Sequence, residues 1–306
     1  MNHLSTLQEA GHVEVGHQRQ FKPIKIYYEM HGNGPKRVML VMGLGSPCSA
    51  WDHQTQFLAE TGDYTVIVFD NRGMGLSDSP IGLYSTSQMA LDALELLDHF
   101  DWKQDVHLVG ISMGGMISLE MADAEPTRFQ SLTLTSTTAR RNLPTWTAIS
   151  TLSKIAFFYK DPKDQLDAAM ELVYPKEWLE QKPLVRTEYE TNKQLAIHGF
   201  IQHSKRSRRQ PMYGNIAQII ACLRHHVSDK RLDHIKQSGL PIMIITGTFD
   251  NLVRPEYSHH MKKVLQDARF ELFEGSGHAI PEEQPERYNR LLVDHFITSN
   301  KNRARL

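Results

Sequence analysis

The sequence predicts an α/β protein, a mostly parallel, doubly wound sheet interrupted by one helical insertion. Three observations predict it. Short, continuous, β-branched runs bounded by turn residues recur at Arg37-Val-Met-Leu-Val-Met42, Tyr64-Thr-Val-Ile-Val-Phe69, Val106-His-Leu-Val109, Leu132-Thr-Leu134 and Ile242-Met-Ile-Ile245. Runs of this kind belong to parallel strands covered on both faces. Helical patterns stand between them, and strands alternating with helices build a sheet with helices on each side. The alternation then stops from about Thr138 to Leu232, where no strand-like run occurs, and it returns at Leu240-Pro241.

Taken in order, His12 to Met30 reads as a hairpin, with His-Val-Glu-Val and Ile-Lys-Ile-Tyr-Tyr-Glu-Met as its strands. The stretch from Ser85 to Phe100 shows the helix logic. Ser85 with Gln88 three residues on makes a capping box, and Met89, Ala93, Leu96, Leu97 and Phe100 share one face. In the strand-free middle, Asp161 can cap a helix with Pro162 at its first position. The expected boundaries are a core over 1–137, a helical cap over 138–236 and the rest of the core over 237–306. Aromatic residues of the middle segment, among them Trp146, Phe157, Phe158, Tyr174 and Trp178, are expected to pack it and in part to line a pocket facing the sheet.

Composition narrows the function. At 306 residues the chain can bury a full core without staples. Lysine plus arginine number 34 against 35 acidic residues, a formal charge of -1, which argues against nucleic-acid binding by bulk electrostatics. Two cysteines, Cys48 and Cys222, make no disulfide framework and fit a reducing compartment. No apolar run has the length of a membrane span, and the polar start lacks the apolar segment of a signal peptide. A cytoplasmic or peroxisomal protein is expected. The second option rests on Ala304-Arg305-Leu306, which resembles the small-basic-leucine peroxisomal address; a solvated basic tail is the alternative.

The strongest chemical signal is Gly110-Ile111-Ser112-Met113-Gly114, directly after a strand and directly before a helical run. A serine on so sharp a strand-to-helix turn is held at strained backbone angles with its hydroxyl exposed, and flanking glycines leave room for the turn. The helix behind it aims its positive end at developing negative charge. Serine alone is a poor nucleophile and needs a base oriented by an acid. Two later segments offer both. Ile242-Met-Ile-Ile-Thr-Gly-Thr-Phe-Asp250 is a strand ending in an acid, and Phe270-Glu-Leu-Phe-Glu-Gly-Ser-Gly-His278 is a strand followed by a small-residue loop carrying a histidine. Parallel strands present their carboxyl ends on one edge, so Ser112, Asp250 and His278 should converge there. An acid after Leu132-Thr-Leu134 would also suit, but Ser136-Thr137-Thr138 offers no carboxylate. Acyl transfer also needs two oxyanion donors. The N–H of Met113 is one; the N–H of Leu44, in Val41-Met42-Gly43-Leu44-Gly45-Ser46, is the other.

These motifs, together with Phe69-Asp-Asn-Arg-Gly-Met-Gly-Leu-Ser-Asp78, resemble the α/β-hydrolase superfamily over nearly the whole chain, Val13 to Phe296. The resemblance is to the serine-nucleophile esterase and lipase branch that includes aclacinomycin methylesterase. It implies an eight-stranded mostly parallel sheet, a cap after the sixth strand and no cofactor. Many members carry His-Gly where this chain has Met42-Gly43, a departure that leaves the oxyanion N–H but removes a side chain that helps fix the loop. Ser112 stands where the epoxide hydrolases and dehalogenases carry aspartate, which argues against both.

The adjacent pairs His225-His226 and His259-His260 lack the spacing that places two metal ligands on one helical face, and they read as surface histidines. Lys205-Arg206-Ser207-Arg208-Arg209 reads as a solvated loop, and Cys48 as structural. The expectation is a serine hydrolase, carboxylesterase- or lipase-like, acting on a small-molecule ester with no metal and no nucleic-acid partner. Two rivals stand beside it. One is the same triad acting on a lactone, an amide or a carbon–carbon bond, the last requiring a cationic cradle for which Arg72 and the basic cluster are the candidates. The other is a ligand receptor that keeps the fold without turnover.

Overall fold

A computed structural model describes residues 4–19, 22–142 and 145–303 of the chain. Its strands are β1 (Leu7–Val15), β2 (Ile24–His31), β3 (Lys36–Val41), β4 (Tyr64–Phe69), β5 (Val106–Ile111), β6 (Phe129–Thr135), β7 (Ile242–Gly247) and β8 (Arg269–Phe273). They form one sheet in the order β1-β2-β4-β3-β5-β6-β7-β8. The first two strands pair antiparallel as the expected hairpin, β2 meets β4 antiparallel, and every later neighbour is parallel. The C-terminal ends of β3, β5, β6, β7 and β8 therefore share one edge.

Helix α1 (Asp52–Glu60) connects β3 to β4, α2 (Thr86–His99) connects β4 to β5, and α3 (Met113–Ala124) connects β5 to β6. Six helices then follow before β7: α4 (Trp146–Phe157), α5 (Pro162–Val173), α6 (Lys176–Glu180), α7 (Asn192–Arg206), α8 (Met212–Arg224) and α9 (Asp229–Gln237). Among the described residues no strand interrupts them. The chain closes with α10 (Pro255–Val264), α11 (Ile280–Glu283) and α12 (Pro285–Arg303). Two expected caps are present: the Ser85 side chain accepts the Gln88 N–H at 3.1 Å, and Asp161 accepts the Lys163 N–H at 2.8 Å ahead of Pro162.

Strand periodicity sorts the core into two layers. Met39 and Val41 of β3 point to one face with Ile67 and Phe69, against α2, α3, α9 and α10; Leu97, Ile117, Leu232 and Met261 supply that layer. Val38 and Leu40 point to the other with Val66 and Val68, against Leu58 of α1 and Tyr288, Leu292 and Phe296 of α12. Each fully buried Leu, Ile or Phe here contributes roughly 2 kcal/mol of transfer free energy. A smaller cluster of Met170, Tyr174, Leu179 and Ala196 holds α5, α6 and α7 together above the sheet edge.

Several expectations are corrected. His225 is buried, with Nδ1 2.8 Å from the Thr86 hydroxyl; the helix end that carries it packs inward, which its polar neighbours conceal. Arg206 and Arg208 are anchored to the core. Arg206 pairs with Glu29 at 3.1 Å and with Asp52 at 2.5 Å, and Arg208 donates to the carbonyls of Gly75, Leu76 and Ser77. Trp146 and Phe158 are 82% and 74% exposed, so they line no enclosed pocket. The side chain of Phe157 and the whole of Ala304-Arg305-Leu306 lie outside the described residues. Among the described residues no helix is long and apolar enough to cross a membrane.

Candidate active site

Ser112 stands between the end of β5 and the start of α3 with φ 55° and ψ -123°. That left-handed φ is unfavourable for any residue with a Cβ and persists only where the surroundings enforce it. The enforcement is visible. The Ser112 N–H donates to Thr135 O at 2.9 Å, and its carbonyl accepts from Gly115 N–H, Met116 N–H and the Thr137 hydroxyl at 3.0, 3.1 and 2.7 Å. The flanking glycines are obligatory by space. A Cβ on Gly114 would overlap the Val41 carbonyl oxygen, and one on Gly110 would overlap Gly114 O and the Ser118 hydroxyl.

The loop after β3 comes alongside. A Cβ on Gly43 would stand 3.1 Å from Ser112 Cβ. Among the described residues, neither the Leu44 nor the Met113 N–H donates a hydrogen bond. The loop is fixed by two side chains that sequence reading did not single out: Asn71 Nδ2 donates to Met42 O at 2.9 Å, and Gln218 Oε1 of α8 accepts the Gly45 N–H at 3.0 Å. Gln218 Nε2 also donates to Arg72 O at 2.9 Å. These bonds hold the loop that carries Met42. The turn beneath is built on buried Asp70, which accepts the Cys48 and Leu76 N–H groups at 2.7 Å each.

Asp250 follows β7 and is buried. Its Oδ1 accepts the Leu252 and Val253 N–H groups at 2.9 Å each, which turns Oδ2 toward His278 Nδ1 at 2.8 Å. The two loops are stitched together by Phe249 N–H to Ser276 O at 2.9 Å, and Gly247 lacks a Cβ that would overlap the Gly277 and Ser276 carbonyls. From the helical segment, Val173 O accepts the His278 N–H at 2.9 Å, and Tyr174, stacked on Trp178, donates to Glu282 Oε2 at 2.5 Å. Burial lowers the proton affinity of His278; the charge and hydrogen bond of Asp250 and the charge of Glu283 raise it, and the balance lies above the ordinary histidine value. Ser112 and the Asp250–His278 pair thus occupy neighbouring positions on one sheet edge, with β6 between their strands. Among the described residues the Ser112 hydroxyl and the imidazole are not hydrogen-bonded; such contacts are often long before substrate arrives.

Other candidate groups are occupied or elsewhere. Arg72 is buried and forked onto Asp92 at 2.5 and 2.7 Å. Cys48 is buried, and desolvation raises its thiol pKa. No cluster of three metal-ligating side chains occurs among the described residues. An open cleft of about 740 Å³ is lined by Arg140, Arg141, His226, Arg254 and Tyr257, and by none of the three residues above.

Residues 36–285 match the model of the alpha/beta hydrolase fold family. The “Putative carbamate hydrolase RutD” of Azorhizobium caulinodans is 27% identical over 269 residues, 88% of this chain and 93% of that protein. Among solved structures, an esterase from Thermogutta terrifontis superposes with a TM-score of 0.76 at 23% identity, covering 95% of this chain and 99% of that one. The meta-cleavage product hydrolase CumD of Pseudomonas fluorescens IP01 does so at 0.72 and 20%, covering 96% and 99%. Strand order, the strained serine turn and the matched span agree: the chain belongs to the α/β-hydrolase family.

Proposed function

We propose that this hydrolase cleaves a carboxylic ester by a Ser112–His278–Asp250 acyl-enzyme mechanism. The observation that carries the reading is the strained Ser112 turn on the same sheet edge as the 2.8 Å Asp250–His278 pair. Ser112 Oγ attacks the carbonyl carbon while His278 Nε2 takes its proton. Asp250 Oδ2 accepts the Nδ1–H, which keeps Nε2 as the acceptor and stabilises the imidazolium. The Leu44 and Met113 N–H groups hold the oxyanion. Collapse breaks the bond to the leaving alcohol, which takes the proton from the imidazolium. Water, activated by the same imidazole, then releases the acid and restores Ser112.

The segment 138–236 is proposed as the cap, with α9 serving the core it packs against through Leu232 and Ile235. Val173 and Tyr174 lie against the histidine loop and give this segment its influence on substrate choice. A carbamate substrate is a second reading, favoured by the name of the relative from Azorhizobium; it uses the same attack and the same oxyanion. Of the candidates for the cationic cradle that the carbon–carbon reading needs, Arg72, Arg206 and Arg208 are bound to protein groups. A peroxisomal address at Ala304-Arg305-Leu306 rests on the sequence alone, since the named relatives are bacterial.

The test is a panel of p-nitrophenyl esters of increasing chain length with a lactone, an aryl carbamate and an aminoacyl amide, each run against Ser112→Ala. Ester turnover that Ser112→Ala abolishes supports the proposal. Turnover of the carbamate alone replaces the ester by the second reading, and hydrolysis that survives in Ser112→Ala overturns the mechanism.

A further inference from the structure

Glu283 is a buried carboxylate that the proposed mechanism does not use. It lies on α11, five residues after His278, and is 8% exposed. Both of its oxygens accept the Gly277 N–H, at 2.8 and 3.1 Å. Gly277 immediately precedes the histidine and is closely surrounded: a Cβ there would stand 2.7 Å from Val173 O and 3.4 Å from Glu283 Oε1. A neutral acceptor such as glutamine could take that N–H without the cost of burying a charge. The residue after Gly277 is His278, and the charge of Glu283 is among the influences that raise the proton affinity of its imidazole.

We propose that Glu283 is a positioning residue for His278, holding the histidine loop through the Gly277 N–H and setting a second negative charge beside the imidazole. The inference rests on the hydrolytic reading of His278. The groups facing this pair are Asp250 from the loop after β7, Tyr174 from the end of α5, and Glu282 from α11 itself. Glu282 is engaged by the Tyr174 hydroxyl, whereas Glu283 interacts electrostatically with His278 and Asp250. Burial holds the Glu283 carboxyl up at about 7; the Gly277 bond and the His278 charge oppose that rise, while Asp250 and Glu282 add to it. Glu283 and His278 thus titrate as a coupled pair in the range where the base must become neutral. The negative form of Glu283 raises the proton affinity of His278 and favours the imidazolium that forms as Ser112 attacks.

The test is Glu283→Gln, which keeps an oxygen for Gly277 and removes the charge. The His278 imidazole is titrated by NMR in Ser112→Ala and in Ser112→Ala/Glu283→Gln, and the pH profile of kcat/KM is measured with Ser112 intact. The His278 titration and the acid limb should both move to lower pH by roughly one unit, the order of effect of one nearby charge. Glu283→Asp keeps the charge but shortens the reach, so kcat should fall about tenfold or more, as a misplaced catalytic group requires, with KM and the limb in place. Should Glu283→Gln fail to fold, this variant decides alone, and an unchanged kcat overturns the proposal. An unchanged His278 titration in a folded Glu283→Gln protein also overturns it, whatever happens to turnover. A shifted titration in a protein without serine-dependent turnover supports the action of Glu283 on His278 and overturns the hydrolytic reading instead.

Discussion

Replacing Asp250 by asparagine isolates the orientation of the base from the fold. Asp250 uses Oδ1 to accept two backbone N–H groups and Oδ2 to accept the His278 Nδ1–H. Asparagine can keep the first pair with its own carbonyl oxygen, so the loop should survive. Its amide NH2 then faces Nδ1 and donates to it. The imidazole must accept at Nδ1 and carry its proton on Nε2, where it cannot take one from Ser112. The imidazolium also loses the one charge it touches directly. Together these effects remove on the order of 10⁴ in kcat/KM, about 5 kcal/mol of transition-state stabilisation. The assay is kcat/KM on the best ester of the panel, with thermal melts to show that the variant folds. A folded Asp250→Asn protein within tenfold of wild type would refute the assignment and place the orienting acid elsewhere.

Gly114→Ala forces a Cβ into the Val41 carbonyl, so it should separate α3 from β3, lower Tm by the equivalent of about 1–3 kcal/mol and reduce kcat more than it raises KM; an unchanged Tm and kcat would contradict the close packing of α3 on the end of β3. Arg206→Met takes the guanidinium away from Glu29 and Asp52 and should cost about 3 kcal/mol, read as a fall in Tm of several degrees; an unchanged Tm contradicts the anchoring role. The acid limb of kcat/KM should lie above 6.5, because the balance of forces raises His278, and a limb near 4 would indicate a carboxylate base. Stability should fall as pH drops below 6.5. Burial holds His107 and His225 at about 3 and His203 and His295 at about 4, so the unfolded chain takes up protons that the folded one refuses, about 2 kcal/mol for each at pH 5. Glu283 and Asp52, raised to about 7 and 6, act in the opposite sense and offset part of this; a Tm constant between pH 7 and 5 contradicts the sign.

The sheet was legible because a strand covered on both faces favours short apolar, β-branched runs, and β3, β4, β5 and β7 carry them; β6 shows only Leu132-Thr-Leu134, most of its other buried positions being polar. The serine turn was legible for a different reason: a positive φ at Ser112 and close backbone contacts at Gly110 and Gly114 leave few residue types that fit. What stayed hidden depends on partners far away in the chain. Arg206 reads as solvated in a basic cluster, since Glu29 lies 177 residues earlier on β2. Gln218 looks like an ordinary polar helix residue until the fold brings the Gly45 N–H to it, 173 positions away. His225 carries no sign of burial in its neighbours, and the exposure of Trp146 and Phe158 runs against their hydrophobicity. Glu283 lies close in sequence to His278, but nothing in the stretch between them signals that its carboxylate turns back onto Gly277.

The central claim, that Ser112 is the nucleophile and is activated by His278, is tested most directly by a serine-reactive fluorophosphonate read out by mass spectrometry of the intact protein and its peptides. The account predicts a single adduct on the peptide containing Ser112, absent in Ser112→Ala and forming more slowly as pH falls through the His278 limb. A folded protein that takes no label, or an adduct that persists in Ser112→Ala, would contradict it.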